Sequence, residues 1–160
     1  MSEILDDPNI LDITIPGTPT SKGRARISAR GGFARAYTPA KTRAAEDSLA
    51  GRCLALLQAR DDRASWPSAN ALSVCFTFTV PIPASWPAWR RALALSGAAV
   101  PACKPDLDNL MKLAKDALNE VLWVDDAQIV GVVATKCYGD RPSTRVVVRT
   151  VSNQTTRGAP

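Results

Sequence analysis

Between Ala71 and Pro81 the chain alternates strictly, with Leu72, Val74, Phe76, Phe78 and Val80 on one side and Ser73, Cys75, Thr77 and Thr79 on the other. Successive side chains of a strand point to opposite faces, so this period of two demands a sheet with a buried apolar face. Pro81-Ile82-Pro83 closes the segment, because proline cannot donate to a ladder. The pattern predicts a central strand. A second constraint comes from Leu110, Leu113, Ala114, Ala117, Leu118 and Val121, whose spacing of three and four predicts an amphipathic helix with Asp108 as its N-cap.

Weaker signals fill in the rest. Leu11, Ile13 and Ile15 predict a short half-buried strand ended by Pro16-Gly17. Thr18 to Tyr37 reads as an ordered loop or irregular hairpin turning at Gly31-Gly32. Thr38 as N-cap and Pro39 at the first helical position open a helix striped by Ala45, Leu49, Cys53, Leu56 and Leu57, stopping near Asp61-Asp62. Ser85 to Gly97 forms a short capped helix whose Trp86 and Trp89, beside Arg90 and Arg91, either stack on bases or cover an edge of the core. Ile129–Cys137 and Thr144–Val151 are expected to pair as an antiparallel hairpin across Gly139-Asp140-Arg141-Pro142. The expected fold is α/β (α+β): a small mixed sheet of about four strands with two main helices, in the order β-α-β-α-β-β. Residues 10–151 are expected to form one domain between a flexible N-terminus, 1–9, and a flexible tail, 152–160.

At 160 residues and 46% hydrophobic, the chain can bury one sizeable core. Its net charge of +5 is unevenly spread: Lys22, Arg24, Arg26, Arg30, Arg35, Lys41 and Arg43 lie between Ile13 and Ala45, where there is no acid. Such a stretch suits a polyanion, although a charge run alone is as often a solvated face. Lys41 and Arg43 near a helix start oppose the helix dipole, which argues for an anionic ligand there. No apolar run reaches membrane-spanning length and the N-terminus does not resemble a secretory signal, so a cytoplasmic protein with no membrane partner is expected. Cys53, Cys75, Cys103 and Cys137 are widely spaced and read as reduced, mostly buried thiols. The chain has no histidine, which excludes an imidazole base and a histidine-completed zinc site.

Acid, metal and lysine chemistry remain, and one region carries all three. Asp106 and Asp108 flank the entrance of the second main helix, Lys112 follows four residues later, and Asp125-Asp126 ends the loop beyond it. Two carboxylates about 4 Å apart repel by about 4 kcal/mol at an effective dielectric of 20, so such a cluster needs protons, solvent or a cation. If the following strand lies beside the helix entrance, one of Asp125 and Asp126 joins the first pair. Three carboxylates suit Mg²⁺ or Mn²⁺, which keep waters and phosphate oxygens in their sphere. Singly, each acid is more often a helix cap or turn residue; jointly with the basic stretch they favour a metal-dependent nuclease.

Lys104-Pro105-Asp106-Leu107-Asp108-Asn109-Leu110, with Lys112, Asp116-Ala117-Leu118-Asn119 and Trp123 to Val130, resembles the RusA-type Holliday junction resolvases. The likeness extends more weakly to Pro16-Gly17-Thr18-Pro19 with Lys22, Arg24 and Arg26, to Tyr37-Thr38-Pro39, and to Phe76 through Pro83 with Ser85-Trp86. The resemblance implies a homodimer that binds a four-way junction and makes paired symmetric nicks with Mg²⁺, Mn²⁺ substituting. It implies Asp106, Asp108 and Asp126 as metal ligands, Lys112 as the essential lysine and Asp125 as an accessory acid. Lys22, Arg24 and Arg26 fall among its DNA-contacting positions, to which the basic residues Arg30, Arg35 and Lys104 are added. The segment from Ala84 to Cys103 is longer than compact members need, which leaves junction geometry and sequence preference open. The competing expectations are a non-catalytic branched-DNA or RNA binding protein, and a nuclease acting on flaps or RNA.

Overall fold

The computed structural model describes residues 9–23, 26–30, 33–37, 39–60 and 66–152, with only the backbone described for 26–30 and 33–37. The elements in chain order are β1 (Ile10–Pro16), β2 (Arg26–Arg30), β3 (Phe33–Tyr37), α1 (Ala40–Ala59), β4 (Ala71–Pro81), α2 (Ala88–Leu95), α3 (Leu107–Leu118), β5 (Ile129–Gly139) and β6 (Ser143–Val151). A single 3₁₀ turn, Asp126–Gln128, precedes β5. The expected mixed α+β fold is present, with α2 as a third, short helix.

Four strands form one mixed sheet in the order β1-β6-β4-β5. β4 is central, as its alternation requires: Leu72, Val74, Phe76, Phe78 and Val80 are all buried. β1 buries Leu11, Ile13 and Ile15, β6 buries Val146 and Val148, and α1 and α3 add Cys53, Leu57, Leu110, Ala114 and Leu118 to the same core. A fully buried leucine contributes about 1.5–3 kcal/mol, so the stripe of α3 fixes that helix against the sheet. The opposite sheet face carries Ser73, Cys75, Thr77 and Thr79, with Val133 and Val147 flanking Cys75.

The last two strands do not form a hairpin. β5 pairs in parallel with β4, and β6 pairs antiparallel with both β4 and β1, so β4 lies between them. The physical reason is the crossover: β4, α3 and β5 form a strand-helix-strand unit, and a helical return brings the next strand back parallel to the first. The 139–142 segment then spans β4 instead of making a two-strand turn, anchored where Gly17 N–H donates to the Pro142 carbonyl at 2.9 Å. Gly17 adopts φ 124°, a conformation that glycine tolerates.

Other expectations need smaller corrections. Asp106, with ψ 140°, is the N-cap of α3, and Asp108 sits in the first turn. Pro39 is the N-cap of α1 and not its first helical residue, and α1 ends at Ala59 with Arg60 as C-cap; Thr38, Asp61 and Asp62 lie outside the described residues. The basic segment does contain a hairpin, with Arg26 opposite Tyr37 and Arg30 opposite Phe33; its expected Gly31-Gly32 turn, like Arg24, is outside the description. Cys103 is exposed, and Cys53 alone of the four thiols is fully buried, which pushes its pKa up to about 12.

Candidate active site

α3 runs beneath the site and sets its spacing. Asp106 is extended at the entrance of the helix, and its carbonyl accepts the Leu110 N–H at 3.1 Å. The Lys104–Pro105 peptide is cis. The Asp106 side chain makes no capping bond and contacts only the Asn109 amide, at 3.4 Å. It is therefore exposed at the helix entrance with coordination capacity to spare. One turn on, Lys112 Nζ donates to Asp108 Oδ2 at 3.0 Å. This bond is the main reason the Asp108 carboxyl titrates below its ordinary range, with the lysine charge adding to it.

Asp125 and Asp126 occupy the corner between α3 and β5. Asp125 Oδ1 accepts from Ala127 N–H at 2.7 Å and Gln128 answers at the Asp125 N–H, a reciprocal capping box. Gln128 Oε1 takes both the Val124 and Asp125 N–H groups at 2.8 Å, while its Nε2 donates to the carbonyls of Ser68 (2.9 Å) and Asn70 (2.8 Å). Asp126 faces away from this bracket: its Oδ1 accepts the indole N–H of fully buried Trp123 at 2.8 Å, and its Oδ2 lies 3.2 Å from Lys115 Nζ. Asp108, Lys112 and Lys115 are spaced i, i+4 and i+7, which puts them on one side of α3. Asp126 thus reaches the row that starts at Asp108, through Lys115.

Asp106 caps the helix entrance and Asp108 sits in its first turn, while Asp126 joins the Asp108 row further along the helix. Among the described residues, no three acidic or cysteine side chains are close enough to hold one metal ion. Lysine ammonium groups pair with Asp108 and Asp126 instead. The chemistry of the donors still fits a hard divalent cation: they are carboxylate oxygens, solvent-accessible, with no sulfur or imidazole among them.

Of the expected DNA-contacting residues, Lys22 is placed most definitely. Its N–H donates to the Asn109 carbonyl at 2.9 Å, beside the α3 entrance. Its ammonium is paired with Asp116 of α3 and lies 3.9 Å from Glu46 of α1. Gly23 N–H donates to Thr42 Oγ1 at 3.2 Å, and a Cβ on Gly23 would sit 2.8 Å from that oxygen, so only glycine lets the loop pass so close to α1. The basic segment therefore enters its hairpin from the site. Lys104 is exposed next to Pro105. Arg26, Arg30 and Arg35 lie on β2 and β3, and their side chains are not described.

The sequence reading passed over Lys115, Asn109, Gln128 and Lys136. Gln128 had a signal in its spacing, three residues after Asp125. Lys136, on β5, donates to the carbonyls of Cys103 (2.6 Å) and Pro105 (2.8 Å). Of the tryptophans, Trp86 packs edge-on against Tyr138 at 5.1 Å with the Arg90 guanidinium 3.8 Å over its ring, whereas Trp89 is 66% exposed. The long 84–103 segment is thus pinned to the end of β5. No helix among the described residues is long and apolar enough to cross a membrane.

The sequence matches the family described as endodeoxyribonuclease RusA over residues 16–149, which spans every element of this site. It is also similar to the uncharacterized protein YqaN of Bacillus subtilis (strain 168), at 31% identity over 144 residues covering 89% of this chain and 97% of that one.

Proposed function

The chain belongs to the RusA endodeoxyribonuclease family, and from that premise we propose that it cuts four-way DNA junctions by paired symmetric nicks with Mg²⁺, in recombination and repair. The observation that carries this reading is the family match over residues 16–149; the row of Asp108, Lys112, Lys115 and Asp126 along one side of α3, with Asp106 at its N-cap, supports it. Asp106, Asp108 and Asp126 would hold the cation, with Mn²⁺ able to substitute and Asp125 fixing the corner behind Asp126. A divalent ion there supplies a nucleophilic water at neutral pH and offsets the charge of the phosphodiester.

The chain's own groups do the rest. Asp106 and Asp108 stand at the N-terminal end of α3, where negative side chains complement the helix dipole. Lys112, bonded to Asp108, would neutralise phosphate charge or protonate the leaving oxygen. Lys104, Arg24, Arg26, Arg30 and Arg35 would hold phosphates without reading sequence, and Lys22 would keep their loop at the helix entrance. Two symmetric cuts require two such sites, which a homodimer supplies. Edge strand β5, with exposed Val130, Val132 and Val133, offers a surface for the second copy.

One observation favours a second reading. Lysines already neutralise Asp108 and Asp126, as would suit a branched-DNA binding protein that does not cleave. Cleavage of a labelled four-way junction, a flap and a linear duplex, with Mg²⁺ or EDTA, separates the two. Wild type is expected to nick the junction in pairs with Mg²⁺ only, and Asp108→Asn to lose about 100-fold or more of that rate with junction binding retained. Tight binding with no cleavage under any divalent metal would establish the binding protein, and preference for the flap would change the substrate and keep the chemistry.

A further inference from the structure

On the helix-facing side of the sheet, β5 sets Val132, Ala134, Lys136 and Tyr138 beside Val74, Phe76, Phe78 and Val80 of β4. Lys136 is the charged member of that row, opposite fully buried Phe78. A lysine half-buried on the helix-facing side of a strand conflicts with the apolar core beside it, and such conflicts concentrate where a site demands them. Among the described residues its ammonium has no acidic partner. Both of its bonds go to main-chain carbonyls, Cys103 at 2.6 Å and Pro105 at 2.8 Å, and charged donors make such bonds short and strong. Pro105 immediately precedes Asp106, so these bonds fix the chain at the point where it delivers that carboxylate to the head of α3.

We propose that Lys136 is a positioning residue for the metal site: it ties the 103–105 segment to β5 and so sets where Asp106 stands. The inference rests on the reading of Asp106 as a metal ligand. Lys136 touches neither the phosphate nor the cation. It acts through the main chain, as residues behind a metal ligand do when their loss costs about 10–100-fold in metal affinity.

The test is Mn²⁺ binding to the full-length protein without DNA, followed by electron paramagnetic resonance, with metal-free melting temperature and junction cleavage measured alongside. Lys136→Met is expected to weaken Mn²⁺ binding by about 10–100-fold at a little-changed melting temperature. Lys136→Arg, which keeps donors for both carbonyls, is expected to stay within about threefold of wild type. Wild-type Mn²⁺ affinity in Lys136→Met overturns the proposal, and so does a Lys136→Arg variant as impaired as Lys136→Met, since the loss would then not follow the donors. Should Lys136→Met not fold, Lys136→Gln decides by the same criterion: weakened Mn²⁺ binding at unchanged melting temperature supports the proposal and unchanged binding overturns it. Asp106→Asn separates the two layers. If it binds Mn²⁺ as wild type does, the metal reading falls and the Lys136 proposal with it; if it loses Mn²⁺ and Lys136→Met does not, the Lys136 proposal alone falls.

Discussion

The two ends of the candidate site are built differently. At the α3–β5 corner, Asp126 is held by a buried indole and a lysine, on a turn that Gln128 grips by two main-chain N–H groups and ties to the Ser68 and Asn70 carbonyls. At the α3 entrance, Asp106 has one long contact to Asn109 and Asp108 one lysine, both in solvent. One carboxylate is fixed by a buried partner, whereas the other two have only contacts at the solvent-exposed helix surface. Such an arrangement leaves ligands able to adjust to a cation while the framework limits how far they move.

Removing an acid from each end breaks this contrast most strongly. Asp106→Ala and Asp126→Ala are both expected to lower junction cleavage by about 100-fold or more. Only the second should destabilise the fold, by about 1–3 kcal/mol, because it leaves the Trp123 N–H buried without an acceptor. Asp106→Ala should stay within about 0.5 kcal/mol, as an exposed residue without a capping bond does. Urea unfolding beside the cleavage assay reads both. Equal destabilisation by the two variants would mean that the entrance is as rigidly built as the corner.

Gln128→Leu sharpens the same contrast without touching an acid. The substitution leaves two N–H groups and two carbonyls without their partner, partly buried. A loss of about 2–3 kcal/mol is expected, less than four full penalties because solvent reaches part of the turn. Cleavage should fall less than with Asp126→Ala, since the carboxylate and its indole partner remain. A stability change below about 0.5 kcal/mol would show that the corner is held without Gln128, by Trp123, Lys115 and the Asp125 cap.

How much of this was legible beforehand depended on whether a residue's partner is local. β4 and α3 declared themselves through period, and the acids through spacing around a predicted helix. Even the Asp125–Gln128 box has a local signature. The pairing of β5 and β6 did not, because periodicity reports which face of a strand is buried and not which strand lies beside it; only the crossover through α3 decides that. Lys136 was opaque for the same reason. Its acceptors are carbonyls 31 and 33 residues away, and a carbonyl has no side-chain identity for a sequence to display. Its one visible trace was a charge within a largely apolar strand segment. The second aspartate of the Asp125-Asp126 pair could be singled out only by resemblance, whereas the structure separates the two by their bonds: one caps the turn, the other faces Lys115.

The smallest expected effect comes from an acid outside the site, which gives the scale of a fixed ion pair by itself. Asp12 of β1 receives Arg145 of β6 in a two-pronged contact, Nε to Oδ1 at 2.9 Å and Nη2 to Oδ2 at 2.5 Å. The Arg145 hydrogen bond holds the Asp12 carboxyl below its ordinary 3.8, partial burial opposes the shift, and the charges of Arg145 and Arg60 reinforce it. A depressed folded-state pKa stabilises the fold above the unfolded value, because in the window just below it the unfolded chain binds more protons. The contribution is therefore whole above about pH 5 and is lost as pH falls through 3.8 towards the lower folded value. Arg145 is exposed and Asp12 only half-buried, so screening limits the pair to about 1 kcal/mol or less. Arg145→Gln should lower stability at pH 7 by no more than that, converge with wild type near about pH 2, and leave junction cleavage unchanged. A gap in urea midpoint that persisted at acid pH would assign the effect to Arg145 packing across β1 and not to its charge, and a fall in cleavage would mean that this sheet face belongs to the functional surface after all.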